Sequence, residues 1–224
     1  VFGKTFRLKK NFEKAHVNMN GVKFVVGDVT DADDVSSAIE KAVRRFGGLD
    51  IVVNNAGIFT TSAKIEEIEH ADWQRSLDVN LTSAMHVIKQ AVPYLRYGCH
   101  PSVVIVGSKN VRAPGPGAAA YSVAKAGLAQ LARIAALEFA GDSIRVNTVH
   151  PNSVFDTGIW SEEVLASRAK HYSMSIEEYR ASNLLGIEVT SKDVASVVCA
   201  LAGTEFSRTT GAQVSVDGGA DRVI

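Results

Sequence analysis

Along the 224-residue chain, short β-branched runs alternate with longer stretches in which apolar positions recur every three or four residues. Val22–Val26, Leu49–Val53, Ser102–Val106, Ile144–Val149 and Gln213–Val216 read as strands. The helical period predicts a helix over Asp33–Phe46, with Thr30 or Asp31 as its cap and Gly47-Gly48 as its stop. Ile68–Tyr97 reads as helix in two pieces, bent near Asn80 and stopped by Gly98. Ala118–Ala140 forms a long Ala/Leu-rich helix ended by Gly141, and Ser191–Ala202 another. Continuously apolar strands separated by helices indicate a parallel sheet covered on both faces, hence a doubly wound α/β domain. No repeat, low-complexity segment or linker divides the chain, so 1–224 reads as one domain.

The alternation breaks over 152–189, a stretch holding Trp160, Glu162-Glu163, His171, Tyr172 and Tyr179. It predicts one or two short helices inserted as a lid. Such insertions at the carboxyl ends of strands carry substrate-binding parts in α/β folds; a lid that only packs on the domain is the alternative. Apolar residues at 46% supply a sizeable core, and a net charge of zero argues against nucleic acid as a partner. No apolar run reaches the roughly 18 residues of a membrane span, and Val1–Lys10 lacks the apolar centre of a signal peptide. Two cysteines, Cys99 and Cys199, stand in no CxxC or Cys/His pattern. They point away from a disulfide framework or a zinc site and toward a reducing, cytoplasmic setting.

The chemistry concentrates at Tyr121-Ser-Val-Ala-Lys125, where the long helix begins. Positions i and i+4 share a helix face, so the ammonium can sit beside the phenol. A neighbouring cation favours phenolate and lowers a tyrosine pKa, as acid/base work near neutral pH requires. That spacing alone also arises by chance; its context adds weight. Ser108 follows the strand Ser102–Val106 and can donate to a carbonyl at the same strand-end crevice. Asn54-Asn-Ala-Gly57 follows another strand, with small residues that let a ligand approach the backbone. Asn80 lies at the suspected bend, and Asp28-Val-Thr-Asp31 ends the first strand, where it also reads as an N-cap cluster.

Together these residues resemble the short-chain dehydrogenase/reductase family, in its classical subgroup. NNAG at 54–57, Asn80, Ser108, Tyr121 and Lys125 match its motifs in order and spacing, as do Arg145-Val-Asn147, Pro151 and Val216-Asp-Gly-Gly219. The resemblance implies a Rossmann-like fold, NAD or NADP as cofactor and a small alcohol/carbonyl substrate. It implies Tyr121 as proton donor or acceptor, with Lys125 lowering its pKa and binding the nicotinamide ribose. Ser108 would hold the substrate oxygen, and Asn80 a water that extends the proton relay. Asp28 and Val29 would lie at the adenine, Asn54, Ala56 and Gly57 along the nucleotide, and Pro151, Val154 and Thr157 around the nicotinamide. A homo-oligomer, dimer or tetramer, is implied through pairing of long helices; the small-residue face at Ala124, Leu128 and Ala132 is compatible with close packing.

The chain departs from the family in two places. The glycine-rich TGxxxGxG turn that cradles a pyrophosphate is absent. About 21 residues precede the first strand, where a βαβ unit needs roughly 30, although Lys4–Leu8 reads as a short strand and Asn11–Val17 as a piece of helix. The expectation is a longer native polypeptide containing that turn. Second, His150-Pro151-Asn152 stands where the family has Pro-Gly, with one extra residue over Ser153–Thr157, which puts Val154 and Thr157 in question. VFDTGIWSEE and the segments after it resemble the dehydrogenase part of fused rhamnulose-phosphate aldolase/alcohol dehydrogenases, which implies a lactaldehyde-like substrate. A catalytically silent nucleotide sensor or scaffold on the same fold is the alternative. A Ser108 hydrolase is disfavoured because no GxSxG elbow surrounds it. His150 reads as a packing or hydrogen-bonding residue.

Overall fold

The computed structural model describes residues 21–158 and 160–220. Four strands, β1 Ile51–Asn54, β2 Ser102–Val106, β3 Arg145–Pro151 and β4 Gln213–Val216, run parallel in the order β1-β2-β3-β4. Val52 lies opposite Val103, Val104 opposite Asn147, and Val149 opposite Val214. The helices are α1 Ala32–Phe46, α2 His70–Leu77, α3 Ser83–Leu95, α4 Ala119–Glu138, α5 Glu162–His171, α6 Ile176–Arg180 and α7 Ser191–Ala202.

Successive strand residues point to opposite faces, and here both faces are covered. Val103, Ile105 and Val146 pack under α1, α3 and α4, against Val35, Leu95 and Leu128. Val104 and Val149 point the other way, onto Val194, Val198 and Leu201 of α7. β2 is therefore apolar at nearly every position, each buried aliphatic side chain contributing about 1.5–3 kcal/mol. The result is a single α/β Rossmann-like domain.

One expected strand is not formed. Val22–Val26 belongs to none of the four described strands, and Val26 is 67% exposed. Strand conformation requires a neighbour to satisfy its backbone groups, and β1, the end strand of the described sheet, pairs only with β2. The segments Lys4–Leu8 and Asn11–Val17 lie outside the described residues.

Other boundaries follow local chemistry. The Asp31 carboxylate caps α1 by accepting from the N–H groups of Asp33 and Asp34, and Gly47 at φ 86° ends it. α2 and α3 are the two halves of the predicted bent helix. The bend is a π-helical turn, Asp78–Thr82, whose wider winding accommodates an extra residue at Asn80. α4 ends at Glu138, one turn before the glycine expected to stop it. Over 152–189 the chain forms α5 and α6, joined through ring contacts of Phe155, Trp160, Tyr172 and Tyr179. The carbonyls ending α7 receive the Arg145 guanidinium, which donates to Leu201, Ala202, Gly203 and Phe206 at 2.7–3.2 Å and ties β3 to that helix. Among the described residues no helix is long and apolar enough to cross a membrane.

Candidate active site

Ser108, Tyr121, Lys125 and the loop after β1 meet at the carboxyl ends of β1, β2 and β3. Ser108 leaves β2 in extended conformation and starts a short 3-10 turn over Lys109–Val111, its hydroxyl accepting from the Asn110 N–H at 3.2 Å. The Asn110 side chain donates to the Ser122 hydroxyl at 3.3 Å, which links that turn to the first turn of α4. Gly117 precedes α4 at φ 76°, and a Cβ there would fall 2.5 Å from the Ser62 hydroxyl. Only glycine lets the 112–118 loop turn this tightly against 62–63.

Tyr121 hydrogen-bonds Ser108, and its ring packs on Phe59 at 5.0 Å between centroids. The Lys125 ammonium lies 5.8 Å from the centroid of the Tyr121 ring and donates to the Val106 carbonyl at 3.0 Å. Lys125 is only 4% exposed. Burial lowers its pKa to about 8, since the low-dielectric interior disfavours the charged form. The Tyr121 phenol is raised above its ordinary value, because burial outweighs the opposing hydrogen bond from Ser108. This corrects the expectation that Lys125 would depress the phenol: desolvation by burial prevails.

Asn80 sits at the π-turn but faces the loop after β1. Its side-chain oxygen accepts from the Ile58 N–H at 3.0 Å, and its amide donates to the Ile58 carbonyl at 3.0 Å and to the Ser76 hydroxyl at 3.1 Å. Gly57 lies between Asn80 and Lys125: a Cβ there would come within 3.1 Å of the one and 3.4 Å of the other. Asn80 is therefore the clamp that shapes the 54–58 loop.

Comparison with known proteins decides the family. A sequence model of the family described as enoyl-(acyl carrier protein) reductase matches residues 5–221. The chain belongs to the short-chain dehydrogenase/reductase family. These are NAD(P)-dependent oxidoreductases. An uncharacterized oxidoreductase of Bacillus subtilis, YuxG, is 36% identical over 198 residues. That alignment covers 86% of this chain, which spans only 29% of YuxG's length. Among solved structures, carveol dehydrogenase from Mycobacterium avium in complex with NAD is 30% identical, with a TM-score of 0.79 over 88% of this chain and 74% of that one. ElxO with NADP bound is 26% identical, with a TM-score of 0.84 over 98% and 86% of the two chains.

Against the short-chain dehydrogenase pattern, the remaining expected cofactor residues fall into three groups. Asn54 is buried at the end of β1, followed by half-buried Ala56 and exposed Gly57. Asp28 and Val29 lie in the loop entering α1. The Asp28 carboxylate accepts from the Thr30 N–H and hydroxyl, and its own N–H donates to Asp34, so it belongs to the capping cluster. Pro151 ends β3 opposite Val216. Val154 packs on the α7 face of the core, and the Thr157 hydroxyl donates to the Val154 carbonyl at 2.7 Å. Ser153 carries the bulged segment at φ 44°, a left-handed conformation unusual for a residue other than glycine.

Two participants escaped the sequence reading. Phe59, whose ring is tilted against that of Tyr121, has no pattern that marks it. Gln213 reads as an ordinary strand residue, yet its side chain contacts His150 at 2.6 Å. The small-residue face of α4 also behaves otherwise than expected. Ala124, Leu128 and Ala132 are buried within their own chain, while Val123, Ile134 and Leu137 are exposed.

Proposed function

We propose that this protein transfers hydride between NAD or NADP and a small alcohol/carbonyl pair, with Tyr121 as the general acid/base. The observation that carries this reading is the contact of the Tyr121 phenol with Ser108, one helical turn from a buried Lys125. Ser108 holds the substrate oxygen and Tyr121 exchanges its proton. The raised phenol retains that proton at neutral pH, so the apoprotein is set to act as an acid toward a carbonyl. The cofactor supplies the hydride. Its fit rests on Lys125, a buried ammonium with three donors of which one meets a protein carbonyl. The other two suit ribose hydroxyls. Asn54, Ala56, Gly57 and Pro151 border the same crevice, Asp28 and Val29 serve the adenine, and Val154 and Thr157 flank the nicotinamide. Asn80 acts by holding the loop, and its side-chain oxygen, which accepts one protein N–H, keeps a second acceptor site for a relay water.

The substrate is a lactaldehyde-like hydroxy-carbonyl, and the lid over 152–189 encloses it. Support comes from the VFDTGIWSEE segment. The same likeness supports a longer polypeptide with an aldolase part, and YuxG too is longer than the aligned region. A cytoplasmic homo-oligomer is the working form, with exposed Val123, Ile134 and Leu137 of α4 available for contact. Following NADH and NADPH oxidation across small hydroxyaldehydes, lactaldehyde first, tests the activity. Tyr121→Phe is expected to abolish turnover without altering the circular dichroism spectrum; near-normal activity in that variant refutes the assignment.

A further inference from the structure

We propose that His150 is a positioning residue for Ser108, acting through the Ser108 backbone as a neutral ring protonated on Nε2. This rests on the assignment of Ser108 to the substrate oxygen. His150 is 1% exposed at the carboxyl end of β3. The Ser108 N–H donates to its Nδ1 at 3.1 Å, and its Nε2 lies 2.6 Å from the Gln213 side-chain oxygen. A backbone N–H can only donate, so Nδ1 must be an acceptor and the ring proton must sit on Nε2. The Gln213 amide agrees: its oxygen faces the ring while its nitrogen donates to the Thr148 hydroxyl at 3.2 Å. Two strands, β3 and β4, and the turn after β2 thus share one chain of bonds, from Thr148 through Gln213 and His150 to Ser108.

The neighbouring glycine supports the same geometry. The imidazole lies across Gly107, where a Cβ would come within 2.5 Å of Nδ1 and 2.7 Å of Cε1. The ring replaces a side chain there and meets the point at which the chain turns from β2 into Ser108. Ser108 is thereby held at two points, its backbone N–H by His150 and its hydroxyl oxygen by the Asn110 N–H. Protonation of Nδ1 would set two donors against each other and release Ser108. Burial opposes protonation of His150 most, the charged Arg112 and Arg133 oppose it as well, and the Gln213 side-chain oxygen favours it; the Ser108 N–H, itself a donor, holds Nδ1 in its unprotonated form.

Long-range nitrogen-15 NMR of the histidine rings, with His150 assigned by its disappearance in H150N, reads the tautomer directly. At pH 7 an Nε2-protonated neutral ring is expected; a ring protonated on Nδ1, or on both nitrogens, overturns the proposal. H150L, which fills the space without an acceptor, should speed exchange of the Ser108 amide by about tenfold, the equivalent of one lost buried hydrogen bond. With lactaldehyde as probe its kcat should fall by a similar factor while cofactor affinity holds. H150N, whose side-chain oxygen can accept in place of Nδ1, should restore Ser108 protection and most of the rate, and should lack the acid limb of the wild-type kcat profile. Unchanged Ser108 exchange in H150L, or wild-type kcat in H150L beside an inactive Tyr121→Phe, overturns the proposal. Activity that survives Tyr121→Phe instead overturns the assignment of the site, and leaves the tautomer and exchange measurements to judge His150 separately.

Discussion

Replacing Lys125 by methionine should stabilise the folded chain while destroying its chemistry. The side chain is 4% exposed, and burial brings its pKa from 10.5 to about 8. That difference corresponds to a penalty of about 3 kcal/mol on the charged form, at about 1.4 kcal/mol for each tenfold change. Methionine keeps an unbranched apolar stem of similar length and removes the charge. It also forfeits the hydrogen bond to the Val106 carbonyl, which costs about 1–2 kcal/mol. The net expectation at pH 7 is a gain of about 1–2 kcal/mol, by difference from those two figures. The pH dependence is a stricter check. Between about 8 and 10.5 the unfolded wild-type chain holds a lysine proton that the folded chain has released. Wild-type stability therefore rises with pH across that window. The variant has no such group, so its advantage is full below the window and disappears within it. Urea denaturation of both proteins without cofactor, followed by fluorescence of Trp73 and Trp160 at pH 7 and 9.5, measures the difference. A variant less stable than wild type at pH 7, or a difference that stays constant between the two pH values, refutes the reasoning. Turnover should be lost in Lys125→Met, with weaker cofactor binding by calorimetry.

Asn80→Ala removes three hydrogen bonds that hold Ile58 and Ser76; a loss of about 2–3 kcal/mol is expected. Faster amide exchange at Ile58 should accompany it, and unchanged exchange there would show that the clamp is not what shapes the loop. Arg145→Met frees four carbonyls at and just after the end of α7, with an expected loss of about 3 kcal/mol. Thermal melts should show that loss, and activity per folded molecule should be retained; a melting temperature within a degree of wild type would contradict the role given to the guanidinium.

What the sequence determined by itself are the features that depend on neighbours along the chain. An apolar run marked β2 residue for residue, because both faces of that strand are covered, and the valines at alternate positions marked β4. Asp31 and Gly47 marked the ends of α1 because caps are local hydrogen-bond and dihedral events. The break at Asn80 was legible, as was the i, i+4 placement of Tyr121 and Lys125 on one helix. Tertiary structure decided the rest. Val22–Val26 has the composition of a strand, but pairing needs a partner that the described sheet does not supply. Asn80 was legible as a position and not as a clamp, since its partner Ile58 lies 22 residues away. The small residues of α4 turned inward because the sheet and α3 take that face. The direction of the Tyr121 shift is the sharpest case. A cation one turn away predicts a lowered pKa, yet burial of the phenol reverses it. Spacing along a helix brings charges near each other, but only the packed fold sets how much water remains between them.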